Sequence, residues 1–300
     1  MVHENPALGR VETHVTDYLR LNDHVGYNRF TDFPWETLKD SLTDSGLKDM
    51  HIGAVETAML VEDHIPGYGS EYTRIFMVHS ERTDSEAWTC RQMLHFVFRW
   101  IAEEDRHAHL LELWLRHSGR RDEQALTNLM VAECKKKYEA PHDDPTQLFT
   151  YTSVQEKATQ LYYSCLRQSV DEPVLRSILA KLSQDEARHC NFFSQLCLDA
   201  LSEANSRHVS QIKETLQHFS MPLAMMMDNY IRKAIQMKRA ARGYDYLEAL
   251  EHFARLVQKT INSRTNARGT NLQDLLQFTL SRIPQRHSAV LDPASISQTS

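Results

Sequence analysis

Apolar residues along this chain recur at steps of three and four, which is the spacing of one face of an α-helix. The longest such stripe runs from Arg91 to Leu115 and stops at Ser118-Gly119. A second runs from Leu175 to Leu196, behind Pro173, a residue that suits the first turn of a helix. The pattern therefore predicts two long helices, each with one buried face.

Shorter helical patterns surround these two stripes. Residues 50–80 form one, in which Pro66-Gly67 predicts a kink, and another ends near Arg167. Met221-Pro222 is interpreted as the start of a Met-rich helix, and another helix is predicted over residues 246–261.

The composition supports a helical chain. Three hundred residues with 41% hydrophobic positions are enough for a sizeable core, and only 9 Gly and 9 Pro interrupt them. Because no linker of disordered composition divides the chain, we expect one all-α domain over residues 1–283. The polar, aperiodic residues 284–300 are predicted to be a flexible tail.

Charge and cysteine content exclude several classes of protein. A net charge of -6 argues against a broad nucleic-acid surface. The first ten residues, MVHENPALGR, lack the apolar run of a signal peptide, and no stretch of eighteen apolar residues occurs, so a soluble, cytoplasmic protein without a membrane partner is expected. The five cysteines form no C-x-x-C pair and are expected to be buried hydrophobes rather than disulfides.

Two charged hexamers, EEDRHA at residues 103–108 and DEARHC at residues 185–190, are nearly the same. Each contains Glu-x-x-His, with an acid just before the Glu and an Arg just before the His. The spacing alone is weak evidence, because Glu and His are common in this chain. The matching context makes a shared chemical role the better interpretation.

Both Glu-His pairs fall on the apolar stripes. Glu104 and His107 continue the helical steps from Trp100, and Glu186 and His189 continue those from Leu182. An unpaired carboxylate at such a buried position costs several kcal/mol and normally needs a partner or a metal ion. The positions therefore predict metal ligands that point into the bundle.

Two Glu-x-x-His helices and one Glu from each of two further helices form the ligand set of carboxylate-bridged di-iron bundles. Glu156 is the only acid in its segment before Asp171. Upstream, three acids are candidates for the remaining ligand position: Glu56, Glu62 and Asp63. Glu62 continues its apolar stripe better than Asp63 does. Four carboxylates, two neutral imidazoles and two Fe(II) ions would make a buried site with no net charge.

At these residues the chain resembles the soluble acyl carrier protein desaturases of the ferritin-like superfamily. The hallmark hexamers of that family, E-E-N-R-H-G and D-E-K-R-H-E, correspond to EEDRHA and DEARHC. The segments VEDHIPGY at residues 61–68, YTSVQEKAT at residues 151–159 and SMP at residues 220–222 also match family segments. The resemblance covers roughly residues 50–260 in four correctly ordered motifs.

The resemblance implies an all-α fold with a ferritin-like four-helix bundle core, a di-iron centre and additional flanking helices. It assigns Glu62 and His107 to one iron, Glu156 and His189 to the other, and Glu104 and Glu186 to bridging positions. It further implies that Thr159 lies beside the oxygen-binding face, and that Asp185 hydrogen-bonds a ligand His and so fixes its tautomer.

The activity implied is that of an O2-dependent enzyme that inserts a double bond into an acyl chain on acyl carrier protein. A ferredoxin-type electron donor and a homodimer are implied with it. A di-iron monooxygenase or N-oxygenase, acting on a carrier-bound or free natural-product substrate, would use the same motifs. A ferroxidase or iron-storage protein would use the same ligands, but the extra helices over residues 200–280 favour a substrate pocket.

The chain departs from the family pattern at several positions. Ala108 replaces the usual Gly after the first hexamer's His, and Cys190 replaces the usual Glu after the second's, which favours the monooxygenase alternative. The basic stretch that the plant enzymes carry before their Met-Pro is reduced to Lys213. Other cations are available to meet an acidic carrier: Lys135, Lys136, Lys137, Arg232, Lys233, Lys238, Arg239 and Arg242.

Overall fold

The structure is a computed structural model, and it describes residues 10–42, 46–142, 144–202, 205–263 and 269–283. These residues form α-helices and connecting turns, with no β-strand among them, which confirms the predicted all-α class. A 3-10 turn, Trp35–Thr37, precedes the second helix. The helices in order are α1 Val11–Asn22, α2 Leu38–Leu42, α3 Asp49–Glu62, α4 Ile65–Phe76, α5 Asp84–Ser118, α6 Glu123–Cys134, α7 Pro145–Ser169, α8 Pro173–Ser202, α9 Ser206–Gln217, α10 Tyr230–Ala240, α11 Leu247–Asn262 and α12 Gly269–Ser281.

The two longest helices are α5 and α8, as the apolar stripes predict. At the start of α5, the Thr83 side chain accepts the backbone N–H of Glu86, while the Glu86 carboxylate accepts the backbone N–H of Thr83. The helix ends at Gly119, whose φ of 64° lies in the left-handed region that glycine adopts readily. Pro173 is the first residue of α8. Backbone N–H groups in the first turn of a helix have no hydrogen-bond partner within the helix, so the missing N–H of proline costs no hydrogen bond there.

The bundle core consists of α3, α5, α7 and α8. Helix α7 packs along α8, α3 packs against α5, and α5 contacts α8. Two apolar clusters fill the bundle, one containing Trp100 and Phe193, the other containing Leu111 and Leu182. Each of α5 and α8 therefore contributes to both clusters, with its Glu-x-x-His segment in the stretch between them.

The remaining helices cover this core. Helix α1 and helix α4 pack on α5, α10 packs on α3, α9 packs on α7, and α11 contacts both α7 and α8. Within the ranges that the structure describes, no helix combines the length and the apolar character needed to cross a membrane.

Two local predictions are wrong. The interruption predicted at Pro66-Gly67 lies instead at Asp63-His64, because α3 ends at Glu62 and Pro66 lies in the first turn of α4, where proline is well tolerated. Met221-Pro222 does not begin a helix either. Residues 222–229 form consecutive turns in which Leu223 has a φ of 62° and Asn229 a φ of 57°, so α10 begins only at Tyr230.

The helix predicted over residues 246–261 is confirmed as α11, and α12 follows it. The predicted tail, residues 284–300, lies outside the described residues, and the single domain over residues 1–283 stays a prediction.

Candidate metal centre

The six residues that the motifs nominate as ligands meet in the middle of the bundle. Glu62 is the last residue of α3, Glu156 lies on α7, and the two Glu-x-x-His pairs lie on α5 and α8. All six side chains are buried, and Glu62 is the most exposed at 7%. Because the four bundle helices each contribute, the site depends on their mutual packing and not on any single segment.

The six residues form two overlapping groups of possible metal ligands. The first group is Glu62, Glu104, His107 and Glu186, and the second is Glu104, Glu156, Glu186 and His189. Within each group, one ligand atom from every residue lies within 4.8 Å of the others. Glu104 and Glu186 belong to both groups, which is the arrangement that two bridging carboxylates require.

Both histidines turn Nδ1 towards the carboxylates. Nδ1 of His107 lies 3.3 Å from Glu186 and 3.5 Å from Glu104. Nδ1 of His189 lies 2.8 Å from Glu104 and 3.5 Å from Glu156. The same nitrogen of each imidazole is therefore available to a metal ion.

Several buried polar atoms of this site have no hydrogen-bond partner among the described residues, which tests whether metal ions fit it. Both carboxylate oxygens of Glu156 and of Glu186, and Nδ1 of both histidines, are buried without a hydrogen-bond partner in the described part of the chain. An unsatisfied buried polar group costs about 1–3 kcal/mol, and more when it is charged. Imidazole and carboxylate donors suit iron, manganese and zinc, so the residues fit a pair of such divalent ions.

The electrostatics of the site indicate the same need for positive charge. Burial, together with the charges of Glu104 and Glu186, raises the pKa of Glu62 well above its ordinary value. Burial and the neighbouring Glu186 likewise raise the pKa of Glu156. Without cations these acids tend to hold protons, whereas two divalent ions would reverse that tendency.

A second acid supports each histidine from the outer side. Nε2 of His107 lies 3.0 Å from Oδ2 of Asp185, and Nε2 of His189 lies 2.9 Å from Oε2 of Glu103. Each acid directly precedes the Glu of one hexamer and contacts the histidine of the other. Such carboxylates hold the proton on Nε2 and leave Nδ1 free for a metal.

Glu103 is the site residue that the sequence reasoning missed, although the acid before each Glu is visible in both hexamers. Its carboxylate accepts hydrogen bonds of 2.6 Å from the Tyr18 hydroxyl and from Nε of Arg99. Burial alone would raise the pKa of Glu103, but the hydrogen bond and charge of His189, the hydrogen bond from Tyr18 and the charge of Arg99 together outweigh it and lower the pKa to about 2. The group therefore stays charged.

Asp185 has an equivalent set of supports. The Tyr27 hydroxyl donates to it at 3.0 Å, Arg106 donates at 3.4 Å, and Arg188 forms a close ion pair with it. Although burial opposes ionisation, the hydrogen bond from His107 and the charge of Arg188 hold the pKa of Asp185 well below its usual range.

The other nominated residues lie in distinct places. Thr159 lines a cavity together with Glu62 and Glu104, and its hydroxyl donates to the Gln155 carbonyl at 3.1 Å. Of the two alternatives to Glu62, Glu56 forms an ion pair with Arg121. Asp63 caps the end of α3 and belongs to neither ligand group.

Cys190, which departs from the family pattern, is buried outside the ligand groups. Its Sγ lies 3.8 Å from the Ser194 hydroxyl and 3.7 Å from Nε2 of His252.

The comparisons with known proteins identify the family. The family model described as fatty acid desaturase matches residues 22–297, and the chain belongs to that family. The similarity to the acyl carrier protein desaturases, stated above from the motifs, is confirmed by the named relatives.

One such relative is stearoyl-[acyl-carrier-protein] 9-desaturase 6 of Arabidopsis thaliana, which is 29% identical over 193 residues, or 61% of this chain and 47% of the relative. The desaturase DesA2 of Mycobacterium tuberculosis is 25% identical over 182 residues, or 59% of this chain and 62% of the relative. The matches to these two relatives thus span about half to three fifths of their lengths.

The crystal structure of DesA2 from Mycobacterium tuberculosis H37Rv superposes with a TM-score of 0.61 and 16% identity. The superposition covers 90% of this chain and 98% of DesA2. It confirms the predicted ferritin-like, all-α fold with flanking helices.

Proposed function

We propose that this protein is a di-iron, O2-dependent oxidoreductase that introduces a double bond into an acyl chain carried on acyl carrier protein. The observation that carries the proposal is the buried group of four carboxylates and two imidazoles, in which both oxygens of Glu156 and Glu186 and Nδ1 of both histidines have no hydrogen-bond partner among the described residues. The named relatives are acyl carrier protein desaturases, which supports this reaction over iron storage.

In this proposal Glu62 and His107 would hold one iron, Glu156 and His189 would hold the other, and Glu104 and Glu186 would serve both. When bound, the two irons supply the O2 chemistry that breaks an unactivated C–H bond. Four carboxylates balance two Fe(II) ions, so the reduced centre carries no net charge in its buried surroundings.

The chain's own residues orient the centre and shape its surroundings. Asp185 and Glu103 fix the imidazoles, as described above. The Tyr163 hydroxyl donates a close hydrogen bond to Glu62 and so holds that carboxylate at the wall of the cavity. Thr159 presents its hydroxyl on the same wall, one helical turn from Glu156, where it positions reactants next to the metals.

Carrier binding is assigned to the basic residues near α10. Lys136 pairs with Asp228 at 3.0 Å, which joins the end of α6 to the turns that precede α10. Arg232 and Arg239 line a groove with the exposed side chains of Ile231 and Ile235. Cations beside apolar side chains suit an acidic carrier protein. The proposal also includes a ferredoxin-type electron donor and a homodimer, and both are supported only by similarity to the family.

The test supplies saturated acyl chains of several lengths on carrier protein, with ferredoxin, its reductase and O2. We expect a product lighter by two hydrogen atoms, detected by mass spectrometry, and no such product from Glu186→Ala. Because the motifs of a monooxygenase would be the same, a product heavier by one oxygen would replace desaturation with that alternative. Oxygen consumption without any change in the acyl chain would contradict both.

Charge reversal tests the carrier surface separately. Arg232→Glu with Lys238→Glu should raise the KM for the carrier-bound substrate more than it lowers kcat, since the cations act on encounter and not on chemistry. Arg20→Glu, an exposed position on α1, is the matched control. If Arg20→Glu raises the KM as much as the double change in α10 does, α10 is not part of the surface that binds the carrier protein.

A further inference from the structure

The cavity beside the candidate metal centre has a mainly apolar wall that also carries a few carboxylates. It encloses about 1040 Å³ of space, its opening included, and eight tyrosines line it. Three carboxylates, from Glu62, Glu71 and Glu104, also line it, whereas its wall contains no Lys, Arg or His among the described residues. Small-molecule sites are usually apolar with a few polar groups that fix orientation, so these carboxylates are the groups that can orient a polar end of a substrate.

Glu71 is the carboxylate that the metal centre does not use. It lies on α4 and is 4% exposed. Its Oε2 accepts the Tyr138 hydroxyl at 2.9 Å, and its Oε1 accepts the backbone N–H of His142 at 2.9 Å, with Nδ1 of His142 at 3.3 Å. A carboxylate offers about four acceptor positions, so Glu71 retains capacity for a further donor on the side of the cavity.

Aromatic rings gather around this carboxylate. Tyr68 and Tyr138 meet edge to face, with ring centroids 5.4 Å apart. Gly67 allows the approach, because a Cβ at this position would lie 2.5 Å from Cγ of Tyr138. A buried carboxylate next to aromatic faces is the recognition chemistry for an organic ammonium group.

The same wall connects Glu71 with the metal centre. Tyr72 lines the cavity and bonds Thr152 through its hydroxyl at 2.6 Å. Burial, with smaller contributions from the charges of Glu156 and Glu71, raises the pKa of Tyr72, so it is a neutral phenol that both acids influence. Because Glu71 lines the same cavity as the candidate ligands Glu62 and Glu104, a molecule held at Glu71 can reach those ligands through the cavity.

Further polar groups are available along this path. Tyr151, Tyr230 and Tyr244 also line the cavity. Each hydroxyl can donate and accept.

We propose that the substrate carries an ammonium group that binds Glu71 and the surrounding tyrosines, while another part of the same molecule reaches the metal centre. The inference rests on the proposed function, because it names the substrate class of that site: an acyl chain bearing a basic amine. Oxidation then occurs at a C–H bond whose distance from the nitrogen the cavity sets.

The test compares two probes of equal chain length, n-octylamine and 1-octanol, by calorimetric titration of the iron-loaded protein at neutral pH, where the amine is protonated. A hydrogen bond to a charged group predicts that the amine binds about 10- to 100-fold more tightly than the alcohol. Glu71→Gln should abolish this preference without changing the affinity for 1-octanol. Glu71→Asp, which keeps the charge, should retain part of it.

The matched control is Glu251→Gln, which removes a buried carboxylate on α11 that does not line the cavity. It should leave the preference intact. Equal affinities of the two probes for the unmodified protein would overturn the inference, and so would a preference that survives Glu71→Gln, since the amine would then bind elsewhere.

The iron content of the same samples separates this inference from the proposed function. Two irons per chain without amine preference would refute only the substrate class. A chain that binds no iron would refute the proposed function, while the probe titration of the metal-free protein would still decide whether Glu71 binds an amine.

Discussion

Replacing Glu103 by Gln tests whether the outer carboxylates tune the metal centre. The change removes one negative charge but keeps an oxygen that can accept the hydrogen bond from Nε2 of His189, 2.9 Å away. The Tyr18 hydroxyl retains an acceptor as well. The geometry should therefore survive while the imidazole becomes a weaker ligand.

The size of the effect follows from burial. Glu103 is 1% exposed, so solvent does not screen its charge from His189. Outer partners of metal-bound histidines typically change metal affinity by about 10- to 100-fold. This corresponds to about 1.4–2.8 kcal/mol. Because His189 belongs to only one of the two ligand groups, we expect one iron to weaken by this factor while the other binds almost normally.

The assay is an anaerobic Fe(II) titration in competition with a chromophoric chelator. Asp105→Asn is the matched control, since Asp105 lies in the same hexamer, has a 60% exposed side chain and pairs with Arg29 at 3.0 Å. It removes the same charge at a solvent-exposed position. If both iron affinities of Glu103→Gln equal those of the unmodified protein, the role of the outer carboxylate is refuted. If Asp105→Asn loses as much iron affinity as Glu103→Gln, the effect is a long-range effect of net charge and not of the contact with His189.

Three further predictions follow from single contacts. Asp185→Asn should weaken the iron next to His107 by about 10- to 100-fold in the same titration, and wild-type affinity would contradict the reciprocal arrangement of the two acids. Thr159→Val should keep both irons but lower the yield of product per O2 consumed, because the cavity wall next to Glu156 loses its hydroxyl; an unchanged yield would exclude Thr159 from the reaction. Burial, with the charges of Lys157 and Arg255, lowers the pKa of His252 in the folded protein to about 4. In the unfolded chain the pKa of this histidine is about 6.5, so between pH 6.5 and pH 4 the unfolded chain binds a proton that the folded protein does not. The free energy of unfolding therefore decreases as the pH falls from about 6.5 to about 4. His252→Gln should reduce this loss by roughly 1–3 kcal/mol in urea unfolding at pH 7 and pH 4.5, and an identical pH dependence would show that His252 does not carry it.

The six nominated ligands could be predicted because helical periodicity fixes which side of a helix is buried. Once Trp100 and Leu182 define the inner faces of α5 and α8, the acids and histidines one or two turns away must share those faces. The structure brings all six together. Glu103 was missed because its side chain leaves that face and reaches His189 across the bundle, a contact that depends on the packing of α5 on α8.

Other features depend on contacts that are distant in sequence. The turns after Met221 include Leu223 in the left-handed region, which a local Met-Pro signal does not reveal. The sequence around Glu71 does not indicate that this residue is buried. It becomes a buried carboxylate in a tyrosine-lined cavity only because α4 packs against Tyr138 and His142.

The iron content of anaerobically reconstituted protein tests the central claim most directly. After excess Fe(II) is removed by desalting, elemental analysis should give two irons per chain for the unmodified protein. Glu186→Ala should lose the pair, because Glu186 belongs to both ligand groups. One tightly bound ion per chain, or an unchanged count in Glu186→Ala, would contradict a di-iron centre at these residues.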